Sequence, residues 1–307
     1  MLSLIAIVLP VFGLIGLGFI TRASGYIGDR TGEGLSDYVF AIAIPALIFK
    51  TLTGVALPAV QPWGYWIAYF AGAFIVWAIA MIVGQRVFKL DHTASVVAGF
   101  SAGQANTVMM GIPMILAAFG EEGAVPLFML IAIHLPIMVS VATLLMEGRD
   151  AHLLVVLKKL THNPILVAIV LGALAKIFNF TPPNFIKVFI DMLAQSAIPC
   201  ALFSMGIALR RYGLEKGVAL PAFLAVLKLG AHPLIVFILA RHVFTMPPAW
   251  SGVAVLFASC PCGVNAYLFA ERYRAGVGVA SSSIALSTAM AVVTTVGWLW
   301  ALGVHIQ

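Results

Sequence analysis

Amide, glycine and proline residues stand together in the stretch Asn106-Thr-Val-Met-Met-Gly-Ile-Pro113, inside an otherwise apolar segment. Proline removes one backbone N–H donor and its ring clashes with the preceding turn, so a helix through this segment should break near Pro113. A bilayer tolerates the freed backbone groups only where protein or a wet cavity covers them. The residues predicted to line such a polar site are Gln104, Asn106, Thr107, Gly111 and Pro113.

A second interruption, Cys260-Pro-Cys-Gly-Val-Asn265, lies in the other half of the chain. It predicts another broken helix, with Pro261, Gly263 and Asn265 beside the break. The amino end of a half-helix carries roughly half a positive charge and free N–H groups, which suit a carboxylate. Interrupted segments in corresponding halves are typical of a transporter's substrate site. The motifs therefore predict an anion site where they meet; alternatively, Asn106 only satisfies backbone groups freed by the break.

Two ionisable residues are predicted to lie deep within apolar segments, where such groups usually serve function. His134, in Ile131-Ala-Ile-His-Leu-Pro136, could contact substrate or couple protons, because histidine changes charge between about pH 5 and 8. The alternative for His134 is a hydrogen-bonded core histidine. Lys228 could neutralise a carboxylate substrate or form an internal ion pair with an acid such as Asp191.

Cys260 and Cys262 could also indicate a metal site, since thiolates suit Cu(I). A copper pump, however, needs phosphorylation and nucleotide-binding domains, and the sequence shows neither. We therefore expect the cysteines to pack closely at the helix crossing, and we predict no metal or cofactor.

The composition predicts a helical integral membrane protein. Of the 307 residues, 62% are apolar and 9% are charged, whereas soluble domains carry about 25% charged residues. The mean hydropathy is +1.08. The net charge of +6 comes from basic residues in short loops, which indicates membrane orientation and not nucleic-acid binding.

Ten membrane spans are predicted from the apolar segments between charged or Gly/Pro-rich breaks. Alternate loops on one side hold twelve of the lysines and arginines, and those on the other hold Lys176, Lys187 and Arg241. This bias places the basic side in the cytoplasm and both termini outside. The predicted localisation is a bacterial inner membrane, where the outside is the periplasm. The predicted spans are 2–21, 34–53, 63–84, 93–119, 123–146, 163–179, 186–209, 217–240, 249–270 and 277–303.

An internal repeat relates the two halves at an offset of 154 residues. Ala43–Phe49 reappears as Ala197–Phe203, and Gly18 in the first span corresponds to Gly172 in the sixth. Each half has an odd number of spans, so the second half must be inverted in the membrane. The predicted division is a first repeat over 1–150, a cytoplasmic linker over 151–162 and a second repeat over 163–307.

Four stretches resemble the auxin efflux carrier family, which includes plant auxin exporters and bacterial dicarboxylate permeases. Asn106–Pro113 is similar to the family's fourth-helix motif, and Pro261–Tyr273 to its ninth-helix motif of proline, glycine and a terminal Phe-Ala-x-x-Tyr. Val39–Pro45 resembles its second helix, and Glu147–Arg149 the end of its fifth. The family belongs to the superfamily of bile acid, arsenite and riboflavin transporters.

The resemblance implies an all-α membrane protein of ten helices in two inverted five-helix repeats, with helices 4 and 9 crossing at their prolines in a sodium–proton-antiporter-like fold. It implies a scaffold of helices 1, 2, 6 and 7, a moving transport domain and a homodimer. The implied function is elevator-type transport of a small organic anion, a mono- or dicarboxylate, with protons as a further candidate partner. Cys262 and Asn265 depart from the plant motif, so auxin specificity is not predicted.

A cation–proton antiporter is the alternative function, because it shares the inverted repeats and the crossed broken helices. Such proteins need membrane-embedded carboxylates, and no Asp or Glu lies at the centre of a predicted span. An embedded enzyme is not predicted, because no His, Asp or Glu set recurs at ligand spacing within one span.

Overall fold

A computed structural model describes residues 2–55, 63–148, 152, 154, 158, 161–213 and 217–304, and this part of the chain is helical. Its one β-type contact is an isolated antiparallel bridge between Ala105 and Cys262. The predicted linker, 151–162, lies largely outside the described residues. The helices are α1 Leu2–Ala23, α2 Asp29–Gly54, α3 Trp63–Arg86, α4 His92–Gly103, α5 Thr107–Glu147, α6 Pro164–Ile177, α7 Asn184–Leu209, α8 Ala219–Val243, α9 Pro248–Ser259, α10 Val264–Tyr273 and α11 Val277–Ala301.

Seven of the described helices are long and apolar enough to cross a membrane: α1, α2, α3, α5, α7, α8 and α11. Three predicted spans fall short. The fourth and ninth are each divided into two shorter helices, α4 with the start of α5, and α9 with α10, and the sixth, α6, has only 14 residues. The 41-residue α5 covers more than one predicted span, and it kinks at Gly120, where φ is 54° and ψ is −138°. The chain is therefore a multi-pass membrane protein.

The break in the predicted fourth span lies at Gln104–Asn106 and not at Pro113, which corrects the expected position. Pro113 instead follows a π-helical turn, Thr107–Gly111, at the start of α5. The same order of π-turn and proline recurs in α2, at Pro45, and in α8, where Leu227–Ala231 precedes Pro233. The wider turn keeps the helix continuous although each proline lacks a backbone N–H donor.

The helices pack in two groups. In the first, α1 packs along α7, and α2 packs against α6 and α7. Backbones approach closely there: a Cβ on Gly18 would lie 2.1 Å from the carbonyl oxygen of Phe203, and one on Gly172 would lie 3.4 Å from the Cα of Phe49. In the second group, α3 packs against α4 and α8, and α9 packs against α5, α8 and α11.

Polar contacts tie the helix ends together. Lys50 pairs with Asp191 at 2.9 Å, so Asp191 is not the partner of Lys228 considered above. Arg211 at the end of α7 pairs with Glu33 in α2. Asp91 caps α4, and the hydrogen bond from the Ala94 N–H lowers the pKa of its carboxyl group.

Gly206 tests whether close backbone contact sets the α1–α7 spacing. Its Cβ would lie 2.0 Å from the Ile15 carbonyl oxygen, whereas a Cβ on Gly16 meets nothing within 4 Å. Gly206→Ala should therefore lower stability by about 1–3 kcal/mol through overpacking. Thermal unfolding of the purified protein in detergent measures the effect. Gly16→Ala is the control, and equal melting temperatures for the two variants would contradict the described packing.

Candidate functional site at the crossing of two helix breaks

The two interrupted motifs pair with each other through their backbones. The Asn106 N–H donates to the Pro261 carbonyl at 2.9 Å, and the Gly263 N–H donates to the Gln104 carbonyl at 3.3 Å. Ala105 and Cys262 face each other between these bonds, and both are buried. Backbone N–H and C=O groups that are freed at each break therefore form hydrogen bonds with those of the other break. Buried backbone groups need such partners. The predicted meeting of the two motifs is observed.

Two helix carboxyl ends and two helix amino ends meet at the crossing, and they carry partial charges of opposite sign. α4 and α9 end there, at Gly103 and Ser259, and present carbonyl groups. α5 and α10 begin there, at Thr107 and Val264, and present amide groups. Each amino end carries roughly half a positive charge and each carboxyl end the opposite. The crossing is therefore polar even where its side chains are not charged.

A cavity of about 320 Å³ lies against the amino ends of α5 and α10. It brings together four of the predicted site residues, Asn106, Thr107, Gly263 and Asn265. The remaining wall comes mainly from α2, α5, the start of α6 and α10. Its residues are Phe40, Ala105, Val108, Ile131, Leu135, Pro136, Asn163, Pro164, Ile165, Leu166, Val264 and Leu268.

The side chain of Asn106 makes a hydrogen bond in this cavity that a substrate could replace. It is 5% exposed, and its amide Nδ2 donates to the thioether sulfur of Met205 in α7 at 3.1 Å. A thioether is a weak acceptor, so a carboxylate oxygen would be a stronger partner for the same N–H groups. Asn265 lies half-buried in the first turn of α10 on the same cavity.

The other predicted residues of the two motifs support the pairing and do not line this cavity. Gln104 is buried, and its Oε1 has no hydrogen-bond partner among the described residues. Gly111 lies close to Cys260: its Cβ would be 3.4 Å from the Cys260 sulfur. Pro113 is buried in the first turn after the π-turn, and Pro261 supplies the carbonyl that Asn106 binds.

His134 and Lys228 lie in a separate buried cluster. His134 Nδ1 is 3.2 Å from the hydroxyl of Tyr69, and Lys228 Nζ is 3.2 Å from His232 Nδ1. The ring centroids of Tyr69 and His232 are 5.2 Å apart. Neither predicted residue lines the cavity, although Ile131, one turn before His134, does. The structure therefore does not bring them together with Asn106.

Three residues near these sites were not predicted. Tyr69 and His232 connect His134 with Lys228, and Asn163 lines the cavity while capping α6 through the Ile165 N–H. His232 had a usable signal, because it stands four residues after Lys228 and so shares its helix face. Tyr69 had none, since a tyrosine in an apolar span is common.

Known proteins show which group this chain resembles. A family profile described as "Membrane transport protein" matches residues 3–299. The chain is 27% identical over 308 residues to a Rhizobium meliloti (strain 1021) protein named "Putative malonate transporter", covering 98% of the chain and 96% of that protein. It is 23% identical over 320 residues to an uncharacterized transporter of Methanocaldococcus jannaschii, with 96% and 98% covered. Similarity to the lysosomal cholesterol signaling protein of Mus musculus, at 22% identity, covers 91% of the chain and 35% of that protein.

Gly263 tests the backbone pairing. A Cβ there would lie 2.0 Å from Gln104 Oε1 and 2.7 Å from the Ala105 carbonyl oxygen. Gly263→Ala should force the breaks apart and lower the melting temperature in detergent. Gly28→Ala is a matched control, because both glycines precede a helix with extended backbone angles and Gly28 has open space around it. Equal stability of the two variants would show that the breaks do not depend on this contact.

Proposed function

Because the chain belongs to the membrane transport protein family, the auxin efflux carrier type that its motifs resemble, we propose that it carries a small organic anion across the membrane. Family membership makes it a transporter and not an enzyme, as the sequence predicted. The proposal concerns the substrate class, the binding residues and the way in which the site changes sides.

The observation that carries the proposal is the convergence of two helix amino ends on one cavity. Thr107 and Val264 are the first residues of α5 and α10, and both line it. Together the two ends supply roughly one positive charge, which stabilises an anion without any basic side chain. Asn106 and Asn265 add amide donors beside these ends. A carboxylate matches both the charge and the donors.

The size and lining of the cavity favour a small mono- or dicarboxylate. A volume of about 320 Å³ is at the lower end of the range for small-molecule sites. Phe40, Ile131 and Leu135 supply apolar walls that would contact the carbon skeleton. The relative named for malonate is consistent with a small dicarboxylate. Malonate is therefore the first compound to test.

A cation–proton antiporter would need a carboxylate where Asn106 and Asn265 stand. Among the described residues, no Asp or Glu lines the cavity. Amide donors and helix amino ends disfavour a bound cation. The geometry therefore supports an anion carrier over this alternative.

The proposed architecture is ten spans in two inverted repeats, and the packing of the first helix group supports it. Gly18 lies against Phe203, and Gly172 lies against Phe49. Gly172 follows Gly18 by 154 residues, and Phe49 precedes Phe203 by 154 residues. The same contact therefore occurs twice, with the roles of the two halves exchanged. A pseudo-two-fold axis between the halves would produce this reciprocity.

The proposed mechanism is elevator-type alternating access, in which the crossing moves with its own helix group against α1, α2, α6 and α7. The cavity lies at the boundary, because Phe40 and Asn163 border it opposite Asn265. The bond from Asn106 to Met205 of α7 crosses the same boundary and would break during the movement. In the proposed orientation, with periplasmic termini in a bacterial inner membrane, Asn163 would lie at the cytoplasmic end of α6. The cavity would then open inward. We propose that the carrier is a homodimer.

Asn106→Ala tests the binding site. Loss of a hydrogen bond to a charged group costs about 1.5–3 kcal/mol, so we expect uptake to fall by at least roughly tenfold at low substrate concentration. Asn106→Asp should reduce uptake further, because its charge repels the substrate. The measurement is uptake of labelled malonate, a monocarboxylate and an aromatic acid into proteoliposomes under imposed pH gradients.

The control is Asn184→Ala, which removes an exposed asparagine at the start of α7, away from the cavity. It should transport like the unmodified protein. Folded Asn106→Ala protein with full uptake would remove Asn106 from the site. If the unmodified protein drives sodium or lithium efflux and takes up none of the acids, the antiporter alternative replaces the proposal.

A further inference from the structure

Lys228 is fully buried without a carboxylate partner among the described residues. Its relative exposure is 0%, and it stands in the π-turn Leu227–Ala231 of α8. This turn packs against α3, α4, α9 and α11, so the ammonium group points into the second helix group and not towards lipid. A buried charge is costly unless specific groups compensate it.

The compensating group is the carboxyl end of α9. Lys228 Nζ donates to the Ala258 carbonyl at 2.6 Å, a short charge-assisted bond. Ala258 belongs to the last turn of α9, and its usual helical donor would be the N–H of Cys262. That N–H instead donates to the Ser287 hydroxyl at 3.0 Å. The break therefore leaves the Ala258 carbonyl without its helical partner, and the lysine takes that place.

The other polar groups around the ammonium are neutral acceptors or weak acids. His232 Nδ1 lies 3.2 Å from Nζ, and Tyr69 and His134 follow in contact behind it. Cys260 and Cys262 stand at the break between α9 and α10. None of these residues is a carboxylate, so the half-helix end is the principal negative group available to Lys228.

In transporters built from broken helices, carbonyl groups at half-helix carboxyl ends commonly coordinate a coupling cation. We infer that the Lys228 ammonium is a resident cation that permanently fills such a position at the end of α9. The protein therefore needs no sodium or potassium ion to stabilise its crossing. The inference goes beyond the proposed function, because it concerns the coupling ion and holds whichever anion is carried.

The inference predicts that removal of the lysine creates a cation site. Lys228→Ala leaves the Ala258 carbonyl and a space the size of the alkyl chain, which methylammonium can enter. The full-length protein is purified in detergent, and its melting temperature is measured in methylammonium, sodium, potassium and choline chlorides at equal ionic strength. Choline is too large for the space and serves as the reference cation.

The unmodified protein should melt at the same temperature in all four salts. In choline, Lys228→Ala should melt roughly 5 °C or more below the unmodified protein. Added methylammonium or sodium should restore at least half of this loss, and the restoration should saturate with cation concentration. Lys228→Met fills the space without charge, so it should be less stable than the unmodified protein and insensitive to the cation. Lys228→Arg, which keeps the charge, should also be insensitive.

Two results would overturn the inference. One is a saturable stabilisation of the unmodified protein by sodium or potassium over choline. The other is a Lys228→Met protein as stable as the unmodified one, which would show that the buried amine carries no needed charge. Both readouts use protein without substrate, so a failure of anion uptake in proteoliposomes would count against the proposed function alone.

Discussion

The antiparallel pairing of two helix breaks is the contact on which the rest of this structure depends. A break in a membrane helix frees backbone groups that lipid cannot satisfy. Here the breaks satisfy each other, through the bonds from Asn106 to Pro261 and from Gly263 to Gln104. Only glycine fits at position 263, because any side chain would enter the space of Gln104. The polar centre of the protein is thus made of backbone, and side chains act on it from both sides.

Two other freed carbonyls each accept a hydrogen bond from another helix. Pro233 cannot donate to the Leu229 carbonyl, and the indole of Trp298 does so at 2.8 Å. The ammonium group of Lys228 likewise donates to the Ala258 carbonyl. These contacts join α8, α9 and α11 into one group through hydrogen bonds, whereas α1 and α7 meet through close glycine packing. That packing lies within the first helix group and lets the two backbones approach closely.

The sequence predicted the crossing because proline, glycine and asparagine at two places have a direct backbone consequence. It misplaced the first break, because a π-turn accommodates Pro113 and moves the interruption to Gln104–Asn106. It also could not tell which face of a helix each buried polar residue occupies. His134 points towards Tyr69 and away from the cavity, and that direction depends on tertiary packing that no local pattern encodes. Apolar segments were readable from the sequence, but the length of each helix was not.

The electrostatics of the crossing give its two sides different tasks. Partial charges of both signs converge there, and each is costly in a dry interior unless another group compensates it. On the carboxyl side, Lys228 is covalently attached and always present. On the amino side, Asn106 and Asn265 are neutral and line the cavity in which the proposed substrate would bind. If the inference above holds, the fixed cation would favour an anionic ligand: Lys228 already compensates the carboxyl end of α9, and the amino ends of α5 and α10 would remain for an anion. The charge of the proposed substrate would then be set partly by Lys228, a residue that does not line the cavity.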